Sequence, residues 1–211
     1  TLGTCPYLET WQGMQDWTQQ RGHDTPDEFW CVEHPPVFTQ GRAGKDEHQL
    51  KSSTIPVVHT DRGGQITYHG PGQLIIYTLV DLKRQPYGIG GLVTHLENGL
   101  IEYLSTQGLI AHNNPKARGI YIDGKKIASI GLRVSKSCSF HGLAFNVKMD
   151  LTPFDAIRPC GLDGIQMTQL NAYRPDLTLT AVQQTLIVHI LKHLGYDKAH
   201  TFIWTHTHAK A

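Results

Sequence analysis

The 211-residue sequence has no apolar run of 18 or more residues, so no membrane-spanning helix is expected. No apolar leader of the secretory kind opens it, so a signal peptide is not expected either. Cysteine is scarce: Cys5, Cys31, Cys138 and Cys160 form no C-x-x-C pair and no zinc-finger spacing, and the 13 histidines include no H-E-x-x-H. Neither a metal site nor any other cofactor is therefore expected. A chain of this length can bury a core without disulfides, and reduced thiols in a cytoplasmic protein are the expectation. An excess of one charge is also missing. The 19 basic and 18 acidic residues leave a formal net charge of +1, which does not fit a nucleic-acid binder. There are no internal repeats and no low-complexity linker, so the chain reads as one domain over residues 1–211.

What is present is a mixture of two periodicities. "YLETWQGMQDWTQQR" places Leu8, Trp11, Met14 and Trp17 about one turn apart, as on the buried face of a helix. "LVTHLENGLIEYLSTQGL" does the same with Leu92, Leu96, Leu100, Ile101 and Leu104. "TAVQQTLIVHILKHLGY" predicts a third helix with Gly195 at its C-terminal cap. Between them, "EFWCVEHPPVF" reads as a strand stopped by Pro35 and Pro36, and "IPVVHT" and "QLIIYTLVDL" as strands flanking a glycine-rich loop. "GIYIDGKKIASIGLRV" predicts a hairpin turning at Asp123-Gly124, and "SFHGLAFNVKMDL" a further strand. The sum is an α+β fold: a mixed, largely antiparallel sheet with packed helices.

Four segments have the composition of a site. "RGGQITYHGPGQLIIY" crowds hydrogen-bonding side chains between glycines, yet it is neither a P-loop nor G-x-G-x-x-G. It reads as a ligand-binding loop or as a structural one. In "GKKIASIGLRV", strand alternation sends Lys125 and Lys126 to opposite faces, so at most one faces a site. A lysine near a thiol favours the thiolate and can act as a base; in isolation it reads equally as an exposed strand residue. His141, in "CSFHGLAFNV", is either a satisfied core histidine or a site residue beside Gly142. In "DAIRPCGLDG", Pro159 and Gly161 hold Cys160 on a restricted turn. Cys160 is a packing thiol or a nucleophile, whereas Cys5, Cys31 and Cys138 fit inert burial better. Lys116, Arg118, Lys125, Lys126, Arg133, Lys136, Lys148 and Arg158 share a stretch whose only acids are Asp123, Asp150 and Asp155. That stretch is either a solvated face or a landing surface for an acidic partner.

Together and in this order, "EHPPVFTQGRAG", "RGGQITYHGPGQ", "GKKIASIGLRV" with "SFHGLAFNVKMDL", and "PCGL" closely resemble the bacterial lipoyl(octanoyl) transferase family, from about residue 5 to about residue 175. The resemblance implies a fold similar to the catalytic domains of biotin protein ligases and lipoate ligases. It implies transfer of an octanoyl group from octanoyl-acyl carrier protein to a lysine of lipoyl domains, those of 2-oxoacid dehydrogenase complexes and the glycine cleavage H protein. The family's thioester-forming cysteine corresponds to Cys160, and its partner lysine to Lys126. Its acyl-binding segments correspond to Arg62, Gly63, Gly64, Gln65, Ile66, Thr67, Tyr68 and His69, to Ser129, Ile130 and Gly131, and to Gly142, Leu143 and Ala144. Backbone N–H groups of the glycine-rich loop, or His69, are candidates for stabilising the tetrahedral oxyanion. An ATP-dependent ligase of the same fold and a non-catalytic carrier-binding module are the alternatives.

Overall fold

The computed structural model describes residues 2–115, 117–159, 164–197 and 199–200. In chain order the elements are β1 (Gly3–Thr4), α1 (Tyr7–Gln20), β2 (Glu28–Glu33), β3 (Val37–Gln40), β4 (Val57–His59), β5 (Ile66–His69), β6 (Gln73–Leu79), α2 (Ile89–Thr106), β7 (His112–Asn113), β8 (Ile120–Ile122), β9 (Lys125–Ser135), β10 (Cys138–Asn146) and α3 (Leu179–His193). Seven strands form one sheet in the order β1-β2-β6-β10-β9-β8-β7, and three form a second in the order β4-β3-β5. Pairing in the large sheet is antiparallel except at β1/β2. In the small one β3 runs parallel to β4 and antiparallel to β5. The expected α+β class holds.

Next to the central strand β10 runs β6, buried along its whole length. It alternates between two cores, as a pleated strand must. Leu74 and Ile76 face α2 and α3, packing with Leu92, Leu96, Leu100, Val182, Leu186 and Ile190. Ile75, Tyr77 and Leu79 face α1, with Met14, Val32 and Phe140. Two glycines set the spacing of these layers. A Cβ at Gly99 would lie 3.0 Å from the Ile190 Cα where α2 and α3 cross, and one at Gly142 would lie 1.9 Å from the Ile76 carbonyl oxygen. The α3 terminus closes as expected. Gly195, at φ 81, donates to Lys192 O and Tyr196 N–H to Leu191 O, the two bonds of a Schellman cap.

Two local readings change. Leu8 is 57% exposed, because α1 buries the face of Tyr7, Thr10, Met14 and Thr18, about a third of a turn away. The strand expected to stop at Pro35-Pro36 does so, β2 ending at Glu33, and beyond the prolines Val37–Gln40 opens the second sheet, buried throughout. The glycine-rich segment contains a strand of its own, β5, paired residue for residue with β3 from Val37↔His69 to Gln40↔Ile66. The predicted hairpin is present, with Asp123 at φ 49 and Gly124 at φ 74, the paired positive values of a type I′ turn. The β9–β10 connection is built the same way without glycine, on Lys136 at φ 50 and Ser137 at φ 65. The Ser137 carbonyl accepts from Leu82 N–H at 2.9 Å.

Candidate active site

The glycine-rich loop is anchored before it can bind anything. Arg62 is 8% exposed. Its Nε and Nη2 donate to Thr39 Oγ1 at 3.2 and 2.9 Å, and its Nη1 to Gly63 O at 2.9 Å. Gly63 N–H donates to Leu132 O at 2.9 Å, laying the loop on β9. The close approach that Gly63 and Gly131 permit is thus partly to the chain itself, since a Cβ at Gly131 would come 3.1 Å from Gly63 O. Gly70-Pro71-Gly72 then reverses the chain through a Gln73 N–H to Gly70 O bond of 3.1 Å, with Gly72 at φ 84.

The two segments expected to bind the acyl chain are direct cross-strand partners. Ser129 pairs with Ala144, Ile130 with Leu143 and Gly131 with Gly142. They form the floor of a cavity of about 360 Å³, whose wall includes Arg62, Gly63, Gly64, Gln65, Ile66, Thr67 and His69. That volume is in the range of small-molecule sites. Tyr68 is the one described member of the expected set that does not line it. Strand alternation turns its ring into the small sheet's own core, 5.6 Å from Phe38 and 5.5 Å from Phe154.

The cavity's inner wall is aromatic and imidazole, contributed by Tyr7, His69, Tyr77 and His141. His69 Nδ1 lies 2.7 Å from Gln73 Oε1, and Nε2 lies 3.2 Å from Thr39 Oγ1. The Gln73 amide nitrogen is spent on Asn146 Oδ1 at 2.9 Å, so Nδ1 carries the proton and Nε2 accepts from the threonine hydroxyl. Burial, helped by neighbouring His34, pushes the His69 pKa down to about 3. Neutral and doubly bonded, His69 has no N–H to offer an oxyanion, and that expected role is withdrawn. His34 lies behind this wall. Its Nδ1–H donates to Cys5 O at 2.7 Å and its Nε2 accepts from Tyr77 O–H at 2.6 Å. Burial brings its pKa down to about 4. Tyr7 stacks on His69 at 5.9 Å, and burial pushes its pKa up to about 12. These groups are uncharged at neutral pH, so the wall suits an apolar chain.

His141 is a buried site-lining residue with an unusual backbone, at φ 60. Its Nε2 lies 2.9 Å from Asp61 Oδ1, which also accepts from Trp11 Nε1 at 3.0 Å. Burial opposes charge on Asp61, but the His141 and Trp11 hydrogen bonds outweigh it and hold the carboxyl below its ordinary range. Burial lowers the His141 pKa, and the Asp61 bond only partly offsets this.

Lys126 lines the same cavity at 1% exposure, while Lys125 is exposed, as alternation requires. The Lys126 Nζ donates to Arg118 O at 2.6 Å. Its backbone is clasped by Gln166 O and Thr168 N–H, each at 2.8 Å. Cys160 lies outside the described residues, as do Lys116 and the C-terminal "WTHTHAKA". Pro159, which precedes Cys160, lines the cavity. The other three cysteines are buried and free. Burial raises all their pKa values, that of Cys31 to about 11, which leaves them poor nucleophiles. Of the basic stretch, Arg118, Lys125, Lys136 and Lys148 are exposed and Arg133 and Arg158 half-buried, whereas Lys126 belongs to the interior.

Several lining residues carried no signal in the sequence. Ile89, Val93 and Glu97 reach the cavity from α2, and Tyr7 from α1. Gly119 makes room for Lys126: a Cβ there would stand 2.4 Å from the Lys126 Cε. Only their helical spacing was visible, and that reads as core.

Residues 6–191 match the family model of the lipoyl protein ligase A/B catalytic domain. By structure, the chain is similar to the bipartite lipoate protein ligase of Thermoplasma acidophilum, with a TM-score of 0.76 at 16% identity, covering 99% of this chain and 87% of that one. It is also similar to the Aquifex aeolicus biotin protein ligase in complex with biotin and ATP, with a TM-score of 0.54 at 13% identity over 92% of this chain and 68% of that one. These likenesses establish the fold alone. The octanoyltransferase of Cellvibrio japonicus is 52% identical over 197 residues, 93% of this chain and 92% of that protein, and the octanoyltransferase of Chromobacterium violaceum is 50% identical over 93% of this chain and 95% of its own. On that likeness, the chain belongs to the bacterial lipoyl(octanoyl) transferases of the lipoyl protein ligase A/B catalytic-domain family and is an acyltransferase.

Proposed function

We propose that this octanoyltransferase takes its acyl group from octanoyl-acyl carrier protein, holds it as a thioester on Cys160, and delivers it to a lysine of a lipoyl domain. The observation that carries the reading is the position of Lys126. It is a buried lysine on the wall of a cavity that Pro159, the chain neighbour of Cys160, also lines. In the first half-reaction the Cys160 sulfur attacks the donor thioester. A new C–S bond forms, the old one breaks, and the carrier thiol leaves with the proton that Cys160 gave up. In the second, the acceptor amine attacks, a C–N bond forms, the enzyme C–S bond breaks, and the amine proton returns to sulfur. Lys126 is the group that moves this proton each way, and its ammonium favours the thiolate. Exchange of one thioester for another is near even, while amide formation drives the cycle without ATP.

The uncharged inner wall accommodates the acyl tail, and backbone N–H groups of the glycine-rich loop stabilise the oxyanion. The acceptors are the lipoyl domains of 2-oxoacid dehydrogenase complexes and the glycine cleavage H protein. One catalytic domain over residues 1–211, acting in the cytoplasm, suffices for this reading. Among the described residues, no helix is long and apolar enough to cross a membrane.

Intact mass after incubation with octanoyl-carrier protein, without ATP, tests this. The wild-type enzyme is expected to gain one octanoyl unit and Cys160→Ser none. An adduct that persists in Cys160→Ser, or turnover that needs ATP, overturns the reading.

A further inference from the structure

We propose that Glu97 is the binding residue for the charged amine of the acceptor lysine. The inference rests on the acyl-enzyme reading above, because it concerns what reaches the acyl group second.

Glu97 sits on the inner face of α2, 9% exposed, and lines the cavity. It is the one carboxylate among the described lining residues, in a wall that also holds Arg62, Arg118 and Lys126. A nearly buried carboxylate needs partners. One of its oxygens has one: Asn113 Nδ2 donates to Oε2 at 2.8 Å. The other, Oε1, accepts no hydrogen bond among the described residues, yet it is not among the polar atoms sealed from solvent without a partner. It therefore keeps some contact with solvent, its lone pairs unclaimed by any described residue, on a side chain that lines the cavity. Two cations of the same wall have partners of their own. Arg62 is spent on Thr39 and Gly63 O, and Lys126 Nζ points to Arg118 O.

An acyl chain and its thioester carry no positive charge and give this oxygen nothing to bind. The acceptor does: a lysine side chain arrives at neutral pH as an ammonium with three donors. Asn113 and Lys126 belong to consecutive paired strands, since β7 pairs with β8 and β8 with β9. The carboxylate and the proton-moving lysine thus share one end of the large sheet. Glu97 draws the ammonium in and orients it. The ammonium then gives one proton to Lys126, which has handed its own to the carrier thiol, and on attack the second departing proton goes to the Cys160 sulfur as its C–S bond breaks.

The test compares two nucleophiles in steady turnover from octanoyl-carrier protein, with the enzyme-free reaction subtracted. One is a lipoyl domain, whose lysine is cationic. The other is hydroxylamine, which is neutral at pH 7. In Glu97→Gln the ratio of transfer to the lysine over transfer to hydroxylamine is expected to fall roughly ten- to hundred-fold, the loss typical of a hydrogen bond to a charged group. It should appear mainly as a raised KM for the lipoyl domain. A merely structural defect slows both nucleophiles alike and leaves the ratio unchanged, which overturns the proposal even if the variant folds poorly. Glu97→Asp, which keeps the charge one carbon further back, is expected to retain a ratio between those of wild type and Gln. Equal loss in Asp and Gln overturns a role for the charge. Absence of an acyl-enzyme in the wild type counts against the earlier reading alone, because the turnover ratio is still measured.

Discussion

Gly119 and Lys126 are a fitted pair. The backbone at 119, at φ 145, passes so close to the lysine arm that a methyl group there would overlap its Cε. Gly119→Ala is therefore expected to displace the Lys126 ammonium, and it also crowds the Ala128 carbonyl oxygen, 2.5 Å from the added Cβ. A shift of about 1 Å in a catalytic group costs on the order of a hundred-fold in rate. The strained backbone adds roughly 1–3 kcal/mol of destabilisation. Octanoyl transfer and thermal unfolding, measured side by side, separate the two effects. A variant that keeps its full rate would remove Gly119 from the account of the site.

Lys126→Met should slow loading of the enzyme by donor by about two to four orders of magnitude, the usual share of a positioned acid–base group. Its unfolding temperature should be unchanged or higher, since a buried ammonium is replaced by an apolar chain of similar length. A rapid-quench time course of acyl-enzyme formation gives the rate, and scanning calorimetry gives the stability.

The buried imidazoles make the fold acid-sensitive. In the folded protein His34 has its pKa at about 4 and His69 at about 3, whereas in the unfolded chain both sit near 6.5. Both are depressed by folding. Their contribution is thus fully present above pH 6.5 and is lost as the pH falls toward the folded values, because the unfolded chain takes up protons that the fold refuses. Between about pH 6 and pH 4 each histidine should remove about 1.4 kcal/mol of stability per pH unit. Urea unfolding at a series of pH values measures the slope, and His34→Gln should lower it by one histidine's share. A flat profile in this window would contradict the neutral state of the inner wall.

The Asp123-Gly124 hairpin and the apolar faces of α2 and α3 were legible because local chemistry dictates them. Two successive positive φ values call for such a pair, and leucines at helical spacing have to be buried. The strand β5 was not, since its four residues lie among glycines and acquire strand geometry only by pairing with β3. The direction of Tyr68 was not legible, for a related reason. A motif names the residues of a strand, but which of them face the ligand depends on a register that only the partner strand sets. Lys126 and residues 129–131 and 142–144 were reached through family resemblance. Glu97 and Gly119 belong to the site through tertiary packing alone.

Carrier recognition should depend on ionic strength. The exposed Arg118, Lys125 and Lys148 are expected to attract acidic partners, over a range of about 8–10 Å at physiological salt. Reversing them together to glutamate should raise the KM for octanoyl-carrier protein by about ten-fold at low salt and have little effect at high salt. An octanoyl thioester of a small uncharged thiol, used as donor, should show neither effect.

The Lys136-Ser137 turn between β9 and β10 has a reach far beyond its own position. It sets which residue of one strand stands opposite which residue of the other, and therefore that Gly131 meets Gly142 and Ser129 meets Ala144. A slip of one place would turn every side chain of the moved strand to the opposite face and undo these pairings. Divergence at this turn should then be free in letters but constrained in number. Side chains that tolerate positive φ can be exchanged there at little cost, while a single inserted residue, remote from Lys126 and the glycine-rich loop, would abolish activity without touching either.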